Sequence, residues 1–263
     1  MAGDDGTGGG ATRGTVRSVS RAIAVLRAFR PDRASLALAE IAGHAQLDRA
    51  TTRRMLVTLI DEGLVRQEPV GQRYALTLRV LELAAAAPTG GLREEARPVM
   101  RRLAKVTGVT VFLSVAGEQG ALCLERIDGD HPVQVKWWAV GTYMPWNCGA
   151  GPRLLLAHMP EAAAVAALRH AEPLTAYSAT DPASLMQHFD AVRARGFEVT
   201  VDDVTVGLSA VAVPITGEAG TLAALSIGGL TGRLLDGGGE PFHVPALADA
   251  AREIGANLRS HFT

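Results

Sequence analysis

The chain has 263 residues, of which 48% are hydrophobic, and its formal net charge is −1. This length suits two domains, and the apolar content is sufficient to fill two cores. Only two cysteines occur, Cys123 and Cys148. A disulfide framework is therefore excluded, and a reducing cytoplasm is the expected compartment. No apolar run approaches the roughly 18 residues that a membrane-spanning helix needs, so no membrane partner is expected.

The first predicted elements are a disordered tail over residues 1–14 and two helices. Residues 1–10 are rich in glycine and acidic, and they carry no hydrophobic signal segment. Val19, Ile23 and Leu26 recur at helical spacing and predict a helix over about 17–29. A second, shorter apolar stripe predicts a helix over about 36–43.

The third predicted helix, over about 48–61, carries the clearest functional signal. Asp48 is a suitable N-cap, because its carboxylate can accept from the exposed amides one turn ahead. Arg49 and Arg53 lie four residues apart and share the face opposite the apolar stripe. A helix with a small, cationic first turn fits the major groove of B-DNA. The predicted DNA contacts on this helix are Arg49, Ala50, Thr51, Arg53 and Arg54.

The residues after this helix predict a wing. Segments 63–66 and 71–78 have the pattern of two short strands around a glycine-containing turn. Arg73 on the second strand is a candidate for a phosphate or minor-groove contact. An ordinary solvated arginine is an equally weighted alternative. Residues 15–76 are therefore predicted to form a winged helix-turn-helix domain that binds double-stranded promoter DNA.

The charge distribution favours the same function. Between residues 11 and 80, twelve arginines stand against six acidic residues, a local balance of +6, whereas the balance from residue 81 onward is −5. Phosphate neutralisation supplies much of the affinity for duplex DNA, so a basic head on an acidic body is the expected pattern. Charge alone leaves open a head with ordinary surface arginines.

Residues 77–91 are predicted to form a linker helix, because the stretch 84–87 is pure alanine. Residues 88–91, Pro-Thr-Gly-Gly, then break it. A further helix is predicted over 92–107. Beyond it, strands are predicted over 109–115, 121–127, 133–140, 197–201, 209–215 and 221–227, and helices over 153–159, 160–170, 182–195 and 244–262. Hairpins with segregated helices indicate an α+β domain rather than a parallel α/β enzyme.

Several short motifs follow one another over nearly the whole chain. The head carries Leu38-Ala39-Glu40-Ile41-Ala42 and the stretches 20–26, 47–56 and 71–76. The body carries Val211-Ala212-Val213-Pro214 and the stretches 141–145, 155–157, 196–197 and 207–208. In this order and spacing they resemble the IclR family of transcriptional regulators. The resemblance implies a winged-helix head, a linker helix, and a GAF-like effector-binding domain over 92–263. It also implies a homodimer or a dimer of dimers.

The resemblance also implies where an effector would bind. The segment 146–151 would cap the pocket, which makes Trp146, Asn147, Cys148, Gly149 and Ala150 its expected contacts. The polar positions of relatives that sense small oxoacids correspond to Thr200, Ala210, Ser226 and Gly228, and only Ser226 keeps the usual polar group.

Each polar side chain missing from these positions would leave one polar group of a small oxoacid buried without a hydrogen bond, at a cost of about 1–3 kcal/mol. A larger, flatter or more apolar effector than glyoxylate or pyruvate is therefore expected. The residues expected to crowd the opposite wall are Trp137, Trp138, Tyr143, Met144 and Trp146. An alternative is that the two adjacent tryptophans alternate across a strand, with one in the core and one at an interface.

No catalytic residue, metal or cofactor is expected. Cys148 precedes a predicted helix whose dipole could lower the thiol pKa. A catalytic thiol also needs a nearby base, however, and His131 and His158 are ten or more residues away. The histidines lack metal-ligand spacing, and the glycine pairs lack the ending of a phosphate-binding loop. The sequence thus predicts a ligand-responsive regulator. The alternative is a stand-alone metabolite sensor, or a redox sensor acting through Cys148, whose head serves oligomerisation.

Overall fold

The computed structural model describes residues 16–30, 33–85, 90–136, 138–169, 171–217 and 220–260. The chain divides into two compact units, with the boundary between residues 86 and 87. This boundary falls inside the predicted linker, whereas the predicted tail 1–14 lies outside the described residues. None of the described helices combines the length and apolar character that crossing a membrane requires.

The first unit, here called the head, is a winged helix-turn-helix, as predicted. Helices α1, α2 and α3 pack on one another around Val25, Ile41 and Leu56, which are almost fully buried. An antiparallel sheet of order β1-β3-β2 forms the wing. Its elements are α1 (Arg17–Arg27), β1 (Ser35–Ala37), α2 (Leu38–Ala45), α3 (Arg49–Asp61), β2 (Val65–Gln67), β3 (Arg73–Leu76) and α4 (Arg79–Ala85).

The second unit, here called the body, is an α+β domain, as predicted. Its described strands form one antiparallel sheet of order β6-β5-β4-β9-β8-β7. The elements are α5 (Gly90–Thr107), β4 (Thr110–Gly117), β5 (Gly120–Ile127), β6 (Tyr143–Met144), α6 (Ala150–Ala157), α7 (Glu161–Leu168), α8 (Pro182–Arg195), β7 (Glu198–Val201), β8 (Leu208–Gly217), β9 (Gly220–Leu230), α9 (Thr231–Leu234) and α10 (Val244–Ser260).

Helices cover both faces of this sheet, because its strands alternate apolar side chains to either side. Val111 and Leu113 of β4 belong to a core that α5 and α10 complete. Phe112, between them, belongs to a second core with α6 and α8. The second face is the one that carries the predicted pocket positions.

The strand predicted over 133–140 is wrong. The described residues there are irregular, and residue 137 lies outside the described part. The edge of β5 pairs instead with β6, where Leu122 lies opposite Tyr143. The backbone N–H of Val135 donates to the Thr110 hydroxyl at 3.3 Å. The indole of Trp138 donates to the Thr142 carbonyl at 3.1 Å. These contacts fold the segment over the sheet rather than along it.

A buried carboxylate anchors α6 to the edge strand β7. Glu198 is fully buried, and its carboxylate lies 3.3 Å from the guanidinium of Arg153 on α6. His188 and Arg195 approach the same carboxylate at 2.8 and 3.6 Å. Because a buried charge is tolerated only when it is paired, these contacts fix the position of α6 on the sheet.

Replacement Glu198→Gln is expected to lower the free energy of unfolding by about 3 kcal/mol, because Arg153 would keep a buried charge without its partner. Urea denaturation of the variant measures this change. The control is Glu253→Gln, which removes the half-exposed pair between Glu253 and Arg102 and should cost less than about 1 kcal/mol. Equal effects of the two variants would contradict the anchoring role.

Candidate DNA interface and effector pocket

The start of α3 is fixed by its N-cap. The carboxylate of Asp48 accepts a hydrogen bond from the backbone N–H of Thr51 at 2.8 Å. Hydrogen bonds from Thr51 lower the pKa of this carboxyl group below its usual value. The Thr52 hydroxyl donates to the Asp48 carbonyl at 2.9 Å. The first turn of α3 is therefore rigidly defined.

Four of the predicted DNA contacts on α3 are exposed: Arg49, Ala50, Arg53 and Arg54. In the described part of the head, none of these three arginines forms an ion pair; the head's ion pairs involve Arg66, Arg73 and Arg79. The first two turns of the helix thus present uncompensated positive charge to solvent.

Thr51 is not on this exposed surface. Only 5% of it is accessible, and its hydroxyl lies 3.5 Å from the guanidinium of Arg54, from which it accepts. The predicted direct contact of Thr51 with DNA is therefore replaced by a supporting position beneath Arg54. The reason is helical geometry, because Thr51 falls on the same buried face as Leu59 and Thr52.

Arg73 likewise makes internal contacts. Its guanidinium lies 3.1 Å from the carboxylate of Glu40 and donates to the Ser35 carbonyl at 2.6 Å. Glu40 in turn accepts from the backbone N–H of Ala37 at 2.7 Å. Arg73 therefore joins β3 to β1 and to α2, so the alternative of a free solvated arginine is wrong. Its side chain is still 40% exposed, and the phosphate or minor-groove contact stays a prediction.

In the body, strand register brings the predicted pocket positions together. Thr200 lies opposite Ala210, and Ala210 lies opposite Gly228. Ser226 is two residues from Gly228 on β9 and so faces the same side. Helix α6 packs against β7, β8 and β9.

The pocket lies between this row and the first turn of α6. Its lining is mainly apolar and carries no charged side chain: Phe112, Trp138, Met144, Gly149, Ala150, Gly151, Pro152, Ala210, Ser226 and Gly228. Phe112 and Trp138 stack with ring centroids 5.6 Å apart. The remaining free volume is about 10 Å³, which is room for about one water molecule.

The missing side chain at Gly228 leaves room for an aromatic ring at a position that the resemblance predicts to be polar in relatives. A Cβ atom at residue 228 would lie 3.3 Å from Cε2 of Phe112. This contact is tighter than ordinary van der Waals separation, so the ring of Phe112 occupies space that a larger side chain would need. The pocket is therefore built for apolar contact at a position where a polar side chain was expected in relatives.

Asp203 holds the start of α6. Its carboxylate accepts from the backbone N–H of Gly149 at 2.7 Å, and only 5% of the residue is accessible. Burial raises the pKa of this carboxyl group, against the opposing effects of the Gly149 hydrogen bond and of Arg153. Gly149 has φ +78°, a conformation that glycine adopts without strain.

Four predicted effector contacts do not line this pocket. Trp146 and Asn147 line a separate cleft. Nδ2 of Asn147 donates to the carbonyls of Glu172 and Ala179 at 3.0 and 2.9 Å, which turns the residue toward the loop that contains them. Thr200 is buried, and its hydroxyl has no partner of regular hydrogen-bond geometry. The hydroxyl lies near enough to Asp203 to act against the rise in the pKa of that carboxyl group.

Cys148, the fourth, is fully buried, and its thiol approaches the Glu172 carbonyl at 3.7 Å. Burial raises the pKa of this thiol. The lowered pKa considered from the sequence is therefore wrong, because the loss of solvent outweighs the hydrogen bonds and the Arg153 charge that act to lower it. The thiolate, which is the reactive form, is disfavoured here.

Comparisons with known proteins agree with this two-unit architecture. The family model for the IclR helix-turn-helix domain matches residues 18–69. The model described as bacterial transcriptional regulator IclR C-terminal matches residues 84–256, most of the chain. The chain belongs to the IclR family. Its relatives are transcriptional regulators and not enzymes.

Individual relatives extend over nearly the same length. The glycerol operon regulatory protein of Streptomyces coelicolor is 30% identical over 92% of this chain and 96% of its own. An IclR-type regulator structure from Alicyclobacillus acidocaldarius is 27% identical, with TM-score 0.79 over 92% and 98% of the two chains. An IclR homologue from Microbacterium hydrocarbonoxydans, complexed with 4-hydroxybenzoate, has TM-score 0.81 at 23% identity, over 92% and 99%.

In this IclR-family chain, sequence reasoning missed part of the pocket. Gly151 ends the predicted cap segment 146–151 but was not among its expected contacts, and Pro152 follows it directly, so extending the expected contacts by two residues would have included both. Phe112 gave no such signal, because its place depends on the pairing of β4 with β9, where it lies opposite Ser226. Five residues were predicted for the opposite wall. Trp138 and Met144 line the pocket, Trp146 lines the separate cleft, and Tyr143 is 43% exposed. Residue 137 lies outside the described part.

The raised pKa of Asp203 predicts a pH-dependent stability. Folding raises the pKa of Asp203 above its ordinary value, so the folded state binds this proton more tightly than the unfolded state. This group's contribution to stability is therefore greatest below the unfolded pKa and declines as pH rises through the folded pKa. Urea denaturation of the wild type and Asp203→Asn, from about pH 4 to about pH 8, should show the difference between them shifting against the wild type as pH rises.

The control for this measurement is Asp181→Asn. Asp181 is an exposed N-cap whose pKa is lowered by hydrogen bonds from Ser184, so its contribution is present above the unfolded pKa and is lost as pH falls through the folded pKa. Slopes of the same sign for the two residues would contradict the assignment at Asp203.

Proposed function

We propose that this protein is a ligand-responsive transcriptional regulator that works in the cytoplasm and binds promoter operator DNA through α3. The observation that carries the proposal is the set of exposed, unpaired guanidinium groups on the first two turns of this helix. Arg49 and Arg53 are assigned to the major groove, with Ala50 allowing close approach. Arg54, braced by Thr51, is assigned to the phosphate backbone.

The expected energetics differ between these roles. An arginine that forms two hydrogen bonds to guanine contributes about 1–3 kcal/mol of base discrimination. A phosphate contact contributes affinity that falls with salt, because each neutralised phosphate releases condensed counterions. A contact from Arg73 is expected to contribute less affinity, since Glu40 already neutralises this arginine.

The double replacement Arg49→Ala, Arg53→Ala is expected to weaken binding to the chain's own upstream DNA by about 100-fold or more, if each arginine contributes about 1–3 kcal/mol. Gel shifts across a series of salt concentrations measure the affinity and its salt dependence. Arg101→Ala, on the exposed surface of α5, is the control and should bind like the wild type. Unchanged DNA affinity or unchanged promoter output in the double variant would favour the alternative, a metabolite sensor whose head serves oligomerisation.

We also infer that the protein binds DNA as a homodimer or a dimer of dimers. Val16, Val19 and Ile23 form an exposed apolar stripe along α1, and Leu78 and Leu81 are exposed at the start of α4. Exposed apolar patches on a soluble domain mark interaction surfaces. Sedimentation equilibrium tests this inference, and a monomer at micromolar concentration would contradict it.

The proposed effector is a planar aromatic or apolar metabolite. The stacked rings of Phe112 and Trp138 and the lack of charged side chains in the lining support this class. Ser226 and the peptide groups of the first turn of α6 are the polar groups available to orient it. The ligand bound to the Microbacterium hydrocarbonoxydans homologue, 4-hydroxybenzoate, belongs to this class.

Because so little free volume remains, such a ligand would enter only if the pocket widens. The first turn of α6 borders the pocket and is therefore the element that would move. A ligand changes DNA affinity only by binding one conformational state more tightly than another. A pocket that must open to bind satisfies this requirement for switching.

Isothermal titration calorimetry with 4-hydroxybenzoate and with pyruvate tests the effector class. The aromatic probe should bind about tenfold or more tightly than pyruvate, because both carry a carboxylate but only 4-hydroxybenzoate adds a ring that can pack against Phe112 and Trp138. Ser226→Ala should weaken the aromatic probe by about fivefold through loss of one hydrogen bond. The control is Ser209→Ala, because Ser209 is buried but bonds to Thr231. Tighter binding of pyruvate would overturn the proposed class.

A further inference from the structure

A second cleft lies beside the segment that leads into α6. It has a volume of about 640 Å³, within the range of about 300–1,000 Å³ that is usual for small-molecule sites. Residues 117–119, at the turn between β4 and β5, form one wall. Residues 145–147 form another, and the small side chains of Ala163, Ala166 and Ala167 on α7 form the floor.

The charge of this cleft has one sign. Glu118 and Glu172 line it and are exposed, and no Lys, Arg or His is among its described lining residues. Within the described ranges, neither carboxylate belongs to an ion pair. The described lining therefore favours a positively charged group over an anion.

Asn147 supplies an independent indication of a ligand. The residue lines the cleft and is 1% exposed. Its Nδ2 is already bound to two backbone carbonyls, whereas its Oδ1 is buried without a partner in the described structure. Buried acceptors are normally hydrogen-bonded, so an unsatisfied one requires an explanation. A ligand that donates an N–H group would satisfy it.

The remaining lining determines the rest of the ligand. Trp146, Pro145 and Met159 add apolar surface to the alanine floor. An indole beside two carboxylates is a favourable surface for a cation attached to an apolar body, because the face of the ring attracts positive charge. The amide oxygen of Asn147 and the carboxylates of Glu118 and Glu172 are thus available for an ammonium group. The apolar surface is available for its substituent.

We propose that this cleft is a second ligand site, distinct from the effector pocket, that binds an organic ammonium ion with an aromatic or apolar body. The ammonium group donates to Asn147 Oδ1 and is held by Glu118 and Glu172. Its body lies against Trp146 and the alanines of α7. The proposal does not depend on the effector class or on DNA binding.

Calorimetry of the full chain with benzylamine tests the site, and benzyl alcohol serves as the uncharged probe of nearly the same shape. Benzylamine should bind at least about tenfold more tightly than the alcohol, because only the amine is charged. The double variant Glu118→Gln, Glu172→Gln should weaken benzylamine by about tenfold and leave the alcohol unchanged. Glu240→Gln, an exposed carboxylate outside the cleft, is the control and should have no effect.

A pair of variants on α7 locates the binding. Ala166→Leu places a larger side chain in the cleft and should abolish benzylamine binding. Ala162→Leu, on the same helix but outside the lining, should leave it intact. Leucine is well tolerated in helices, so both variants should fold, as circular dichroism would verify.

Three results would overturn the proposal: equal affinity for the amine and the alcohol, full binding by Ala166→Leu, or an absence of benzylamine binding. If the amine fails to bind and Ala166→Leu changes the sedimentation of the protein, the cleft is an interface between copies of the chain. Failure of this site would leave the DNA and effector measurements unaffected, since these are made without amine.

Discussion

The body depends on the contacts that hold the first turn of α6 against the sheet. The carboxylate of Asp203 accepts a hydrogen bond from the backbone N–H of Gly149. Arg153, one turn later, forms an ion pair with the buried Glu198. The first amides of a helix have no partners within it, so this turn is both a polar binding surface and a point that needs anchoring. The effector pocket lies on the sheet side of this turn, and the segment leading into it borders the second cleft.

Two carboxylates in similar roles show how burial changes an anchor. Asp48 and Asp203 each accept a backbone N–H at the start of a helix. Asp48 is exposed, and its pKa is lowered by those bonds, whereas burial raises the pKa of Asp203. The charged form is thus stabilised at α3 and penalised at α6. The proposed recognition helix α3 therefore begins at a carboxylate whose charged form is favoured. The carboxylate at the start of α6 is held less favourably, which suits the proposed movement of this turn when a ligand enters the pocket.

The pocket has exchanged polar groups for aromatic surface in a coordinated way. Gly228 removes a side chain, and the ring of Phe112 approaches the space that its Cβ would occupy. Trp138 then stacks on Phe112 from the irregular segment between β5 and β6. The effect of a substitution at residue 228 therefore depends on the ring of Phe112, which fills the adjacent space.

The sequence alone determined what is local or depends on period. It located the helices of the head, the N-cap at Asp48, the wing, the concentration of positive charge and the α+β class, because helical spacing, capping and turn chemistry act within a few residues. It also identified seven of the ten described lining residues of the pocket. Resemblance to a family gave Gly149, Ala150, Ala210, Ser226 and Gly228, and Trp138 and Met144 were expected on the opposite wall.

Only the tertiary structure decided which side chains are already buried or bonded to other parts of the protein. The pairing of Arg73 with Glu40, the burial of Thr51 and Cys148, the turning of Asn147 toward residues 172 and 179, and the contribution of Phe112 all depend on contacts between distant segments. Strand register and loop packing set those contacts, and neither leaves a periodic pattern in the sequence.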